Sequence, residues 1–175
     1  MAARENSPAS QTDRQGLVLT RVFDAPRDLV FRAWTQPEHL VHWWGQPNGA
    51  TMPHCRVDPR VGGALHYCVH LPDGQVIWGK GVYREIVEPE RLVFADYFSD
   101  EQGNVVEPPP GLPKETLVIA TFEEHGGKTK VTIEHVGVEQ ASEQNRQLYR
   151  QGWADSLDRL AARLAAVAGT GSTPA

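Results

Sequence analysis

The residues of this 175-residue chain best suited to chemistry are seven histidines, two cysteines and a few carboxylates on segments that read as strands. His39 and His42 stand three apart in a helical segment, the spacing of a chelating pair. No carboxylate or cysteine nearby completes a motif of the His-Glu-x-x-His kind. Cys55, His66 and Cys68, with His54 beside them, can approach one another across a hairpin. Adjacent strand residues point to opposite faces, so His54 and Cys55 cannot readily share an ion, and no metal site is expected. A Cys55–Cys68 disulfide is geometrically conceivable. Two cysteines make no disulfide framework, however, and the expectation is an unlinked pair in a reducing, cytoplasmic compartment. Glu85, Asp96 and Glu134 lie on predicted strands, where a buried carboxyl serves as a general acid or base. Arg56, Arg60 and Arg84 could hold an anion or form a solvated face. The chain has no Gly-x-Ser-x-Gly elbow, no Walker loop and no paired glycines to cradle a dinucleotide, and no cofactor is implied.

A second set of residues suits binding. Gly152 and Ser156 are four apart in a helical stretch beside Trp153, so they form one shallow strip of that helix. An interior helix glycine costs roughly 0.5–1 kcal/mol against alanine; a strip without side chains facing a concave sheet leaves room for a ligand. Of Trp43 and Trp44, one is expected in the core and the other near a cavity mouth. Tyr67, Trp78, Tyr83, Phe94 and Phe122 fall on strands, as sheet packing or pocket wall. Alternation places Leu65, Tyr67 and Val69 on one face, taken as inward, and His66, Cys68 and His70 on the other. A pocket of Tyr and Trp suits a flat apolar or aromatic molecule carrying a few polar groups.

These residues need elements to position them. Leu17–Phe23 alternates as a strand. Asp24 or Ala25 at an N-cap, with Pro26 in the first turn, starts a helix, and Pro37 to about Trp43 is a second, short one. Six further strands are predicted at Thr51–Val57, Ala64–Leu71, Val76–Val87, Arg91–Phe98, Lys114–Glu123 and Lys128–Val136, joined mostly by short turns that imply antiparallel hairpins. Asp100–Pro113 is a longer loop, stiffened by Pro108–Pro110. From Ser142 to Val167 the residues Tyr149, Trp153, Leu157, Leu160, Leu164 and Val167 mark one face of a helix of about 35–40 Å. Asp155, Asp158, Arg159 and Arg163 hold its opposite side. The order β-α-α-β6-α predicts an α+β domain over residues 17–168, with tails at 1–16 and 169–175. A curved seven-stranded antiparallel sheet around one long helix encloses volume, and small molecules bind in such places.

Composition sets the outer bounds. A net charge of −5 opposes a general role on nucleic acid, which needs clustered cations. No apolar run approaches the ~20 residues of a membrane span, so no membrane insertion is expected. No apolar stretch of a secretory signal is visible in the first fifteen residues.

Four segments carry a family resemblance: Phe23-Asp-Ala-Pro-Arg-Asp-Leu-Val-Phe-Arg-Ala-Trp, Trp43-Trp44-Gly45, Asp58-Pro-Arg-Val-Gly-Gly-Ala-Leu, and Gly152-Trp-Ala-Asp-Ser-Leu-Asp-Arg-Leu. In this order, over about residues 17–167, the chain resembles the START-like, helix-grip superfamily of polyketide cyclases and pathogenesis-related proteins. Within it, the chain is similar to the small bacterial single-domain form of the branch named for the activator of the heat shock protein 90 ATPase. The resemblance implies a helix-grip fold and a cavity that His135, late in the last strand, faces. The pocket residues expected are Trp43, Trp44, Leu65, Tyr67, Trp78, Tyr83, Phe94, Phe122, His135, Tyr149, Gly152, Trp153 and Ser156. The fold hosts many activities. The expected partner is a small hydrophobic or aromatic ligand, held by a carrier, sensor or sequestering protein, as monomer or homodimer. The alternatives are a cyclase- or hydrolase-type enzyme using the same pocket and a stress-related co-chaperone or interaction domain.

Overall fold

The computed structural model describes residues 16–170. Of the expected tails, residues 1–15 and 171–175 lie outside the described residues. Strand β1 (Leu17–Phe23) leads into helix α1 (Arg27–Thr35) and the single-turn α2 (Pro37–Leu40). Then come β2 (Thr51–Val57), β3 (Ala64–His70), β4 (Val76–Val87), β5 (Arg91–Phe98), β6 (Thr116–His125) and β7 (Lys128–Val136). A 3-10 turn, Val138–Gln140, precedes the long helix α3 (Glu143–Thr170). All strand pairs are antiparallel, in the order β1-β7-β6-β5-β4-β3-β2. The result is the expected α+β helix-grip fold, a seven-stranded sheet with α1, α2 and α3 on its inner face.

Local chemistry explains most element boundaries. The β6–β7 hairpin closes through Gly126 and Gly127, both at positive φ, the conformation that a two-residue turn matched to strand twist requires. It carries β6 to His125, two residues past the expected end. Its start moves from Lys114 to Thr116, because Lys114 and Glu115 still belong to the preceding loop. At α1, Pro26 is itself the N-cap, with no side-chain cap from Asp24. The register shift between Tyr83 and Glu85 is a β-bulge in β4, which sharpens twist.

The core lies between the sheet and the helices. Leu157, Leu160 and Leu164 of α3 are buried, as are Val30, Phe31 and Trp34 of α1. Trp34 is the hub: its ring packs edge-on against Trp43 at 4.8 Å and Phe122 at 5.7 Å, and stacks on Trp153 at 5.9 Å. The polar side of α3 does not simply meet water. Arg159 donates to Gln46 Oε1 (3.1 Å) and the Pro47 carbonyl (2.9 Å), and Arg163 Nε donates to His39 Nδ1 (3.2 Å). Asp158 pairs with Arg21 of β1 at 2.6 Å. These contacts fasten α3 to the α2 segment and to the edge strand. No helix among the described residues is long and apolar enough to cross a membrane.

Candidate functional site

A cavity of about 540 Å³ opens between the N-terminal half of α3 and the inner face of β3–β7. That volume suits a drug-sized molecule. Trp44, Tyr67, Tyr149 and Trp153 supply aromatic wall, and Val69, Leu71, Ile77 and Phe98 supply apolar wall. Leu112 and Pro113, with the exposed Pro47 and Leu148, lie at its opening. The adjoining loop is tied to α3 by Asn145 Nδ2, which donates to the Gly111 carbonyl at 3.0 Å.

Two glycines shape this space. The Tyr67 ring lies across Gly79 of β4, where a Cβ would stand 2.3 Å from the ring. Only glycine permits that approach. On α3, a Cβ built at Gly152 meets no atom within 4 Å. Gly152 therefore faces open cavity, between Tyr149 and Ser156, which also line it.

The polar groups are few and differ in character. His135 is buried and bonded at both ring nitrogens. Trp153 Nε1–H donates to Nδ1 at 3.0 Å, so the proton sits on Nε2, which donates to Thr116 Oγ1 at 2.9 Å. Burial lowers its pKa to about 4. A neutral imidazole with no free lone pair is not a base. Asp96 is the contrasting group. Its carboxyl points into the cavity from β5 and accepts a long hydrogen bond of 3.4 Å from the Tyr67 hydroxyl. Burial raises it to about 7, against the smaller opposing effects of that hydrogen bond and the Tyr97 main-chain N–H. The Tyr67 phenol is pushed well above its ordinary value by burial, then by the Asp96 charge. Tyr149 rises to about 12, again mainly through burial, with Asp96 adding to it. The Trp44 indole N–H is buried beside the Tyr67 phenol, and its hydrogen bond partly offsets the rise of that phenol.

The structure gathers Trp44, Tyr67, His135, Tyr149, Gly152, Trp153 and Ser156 around the cavity. It does not bring Trp43, Leu65, Tyr83, Phe94 or Phe122 there. Trp43 is core, its Nε1–H donating to the Ala33 carbonyl at 2.9 Å. Leu65, Tyr83, Phe94 and Phe122 are on the inner face but fully covered, because Trp34 and Trp44 fill the volume above the two phenylalanines. Trp78 also lines the cavity. Its ring lies on the outer sheet face, stacked on His66 at 5.1 Å.

That outer face also holds His54 and His66. His54 Nε2 lies 3.2 Å from His66 Nδ1, and His66 Nε2 lies 3.1 Å from the Asp100 carbonyl. With Lys80 Nζ donating to the Gly103 carbonyl at 2.9 Å, they anchor the 100–113 loop. His39 is held by Arg163 and His42 lies beyond α2, so the expected spacing produces no chelating pair. Cys55 sits opposite Tyr67, and Cys68 sits opposite His54 and Trp78. The two thiols thus face opposite sides of the sheet, and both are free. Glu85 pairs with Arg91 at 3.1 Å, Arg60 with Asp58 at 2.7 Å, and Arg84 contacts the Tyr97 hydroxyl at 3.3 Å, all away from the cavity. Of the three strand acids, only Asp96 enters the site. Sequence carried a signal for it: Phe94 and Asp96 share a strand face. Nothing in sequence marked Leu112 and Pro113, which reach the cavity from a loop.

A search among functionally curated proteins finds no match. Solved bacterial structures do match. A Mycobacterium smegmatis protein is 27% identical with a TM-score of 0.71, covering 87% of this chain and 91% of its own. A protein from Arthrobacter aurescens is 26% identical with a TM-score of 0.74, covering 89% of each chain. One from Chromobacterium violaceum is 29% identical with a TM-score of 0.66, covering 85% of this chain and 95% of its own. The family model described as Activator of Hsp90 ATPase homolog 1-like protein matches residues 24–165, which span α1 through most of α3. With that match laid over a helix-grip fold, the chain belongs to the Activator of Hsp90 ATPase homolog 1-like family.

Proposed function

We propose that this protein binds a small hydrophobic or aromatic molecule in the cavity between α3 and the sheet, in a carrier, sensor or sequestering role. The observation that carries the reading is the open space in front of Gly152, within a cavity of about 540 Å³ whose walls are mainly aromatic and aliphatic. Well-packed interiors leave few voids larger than a water molecule. A hydrophobic dye should bind the folded protein saturably, quench tryptophan fluorescence and raise the melting temperature. At one hundred times its Kd the stabilisation is about 2.7 kcal/mol. A dye response that appears only on partial unfolding would sink the reading.

One observation supports a second reading, a cyclase- or hydrolase-type enzyme. Asp96 and Tyr67 place a carboxyl raised to about 7 beside a phenol on the cavity wall. A group titrating near neutral pH is suited to proton transfer. His135 contributes no base in that reading, since both its nitrogens are engaged. Mass spectrometry of co-purifying molecules separates the two. A molecule released unchanged supports binding, and one converted during incubation supports catalysis. The interaction-domain alternative has least support, because the interior is open rather than sealed.

A further inference from the structure

Charge in the cavity is concentrated at one group. Among the described residues lining it, Asp96 is the single acid, and there is no lysine or arginine. A buried carboxyl is ordinarily matched by a cation or several donors. Asp96 has a 3.4 Å bond from Tyr67 and the neighbouring main-chain N–H of Tyr97.

No element packed against it supplies the missing charge. On β4 the residue opposite is Gly81, which has no side chain, and on β6 it is Thr116, which does not titrate. The titratable groups on the other elements are Tyr67 from β3, Tyr149 from α3 and His135 from β7. Both phenols and the His135 imidazole are held neutral by burial. On β5 itself, the Tyr97 hydroxyl turns to the opposite face, where it donates to Glu115 at 2.9 Å. What surrounds the carboxyl is aromatic. Trp44 lies edge-on to Tyr67 at 6.1 Å and to Trp153 at 5.6 Å, and Tyr149 stands on the helix above. Ring faces carry negative potential and attract cations.

Given the ligand-binding reading on which this rests, we infer that the cavity selects an aromatic or apolar amine. Its ammonium group sits on Asp96 among the rings of Trp44, Tyr67 and Tyr149. An isosteric carboxylic acid is rejected, since it meets no cation and one carboxyl of like charge. The ammonium favours the ionised carboxylate, so binding strengthens as pH rises from acid to neutral and expels a proton from Asp96.

Three probes of closely similar size test this: naphthylmethylamine, naphthylmethanol and naphthoic acid, titrated by tryptophan fluorescence at pH 5.5 and pH 8. The amine should bind about tenfold more tightly than the alcohol at pH 8, the order of one charge-assisted hydrogen bond. That advantage should shrink at pH 5.5, and the acid should bind weakest. Asp96→Asn should abolish the amine's advantage over the alcohol at pH 8. Calorimetry of the unaltered protein in two buffers of different ionisation enthalpy should register proton release with the amine alone. An acid that binds as well as the amine, an amine preference that survives Asp96→Asn, or an alcohol that binds as tightly as the amine at pH 8 would each overturn the inference while leaving the cavity a binding site. Failure of all three probes to bind would instead overturn the ligand-binding reading, and the inference with it.

Discussion

Asp96 and His135 stand on the same wall and answer acid in opposite senses. Asp96 is raised to about 7, so the folded protein keeps a proton that the unfolded chain releases near 3.8. Its contribution to stability is present at low pH and declines as pH rises through 7. His135 is lowered to about 4, so the unfolded chain takes up a proton near 6.5 that the folded protein refuses. Its contribution is present above 6.5 and is lost as pH falls toward 4. Asp96→Asn removes the first effect alone. At pH 8 the variant should be more stable than the parent by about 1–4 kcal/mol, each pH unit of displacement being worth about 1.4 kcal/mol. On acidification it should show the His135 decline unopposed. Urea unfolding at pH 4.5, 6.5 and 8 checks both, and a variant weaker than its parent at pH 8 contradicts the assignment. At this scale the sequence conveyed residue types better than environments. It marked Asp96, Glu85 and Glu134 equally as strand acids. Position separates them: Asp96 lines the cavity, Glu85 pairs with Arg91 and Glu134 is exposed, and that depends on which strand face the helices cover.

Among elements, α3 does more than cover the sheet. Arg159 and Arg163 reach back to the segment after α1 and fix where Trp44 enters the cavity. Arg159→Ala leaves the Gln46 side chain and the Pro47 carbonyl without that partner. It should cost about 1 kcal/mol, the net worth of one or two half-exposed hydrogen bonds, and thermal melts should register it. An unchanged melting temperature would mean that this segment is held by Trp34 and Trp43 alone. The elements themselves were largely legible, because turn chemistry and periodicity are local. β1, β2, β4, β5 and β7 have the bounds their alternation and flanking turns predict. The arginines were not legible. On a helical wheel they occupy the polar side, and only the return of residues 36–47 under α3 gives them partners.

Across the whole molecule, one half of the space between helix and sheet is filled and the other is open. Trp34, Trp43, Phe31 and Phe122 occupy the filled half, and α3 closes on it with Leu157, Leu160 and Leu164. Toward its N-terminus the same helix offers Gly152 and Ser156, and the sheet opposite offers Gly79 under Tyr67. The existence of a cavity followed from the element order. Its position did not, because that depends on the volumes of side chains distant in sequence. Phe94 and Phe122 therefore read as pocket wall when they are core. The position is also what can be tested most directly. Leu at position 152 enters open space and improves helix propensity by roughly 0.5–1 kcal/mol relative to Gly. Titration of a hydrophobic dye against Gly152→Leu, beside its thermal melt, is the decisive measurement. A melting temperature at or above that of the parent with dye binding abolished is the predicted result. A folded Leu variant that binds the dye as the parent does would contradict the account.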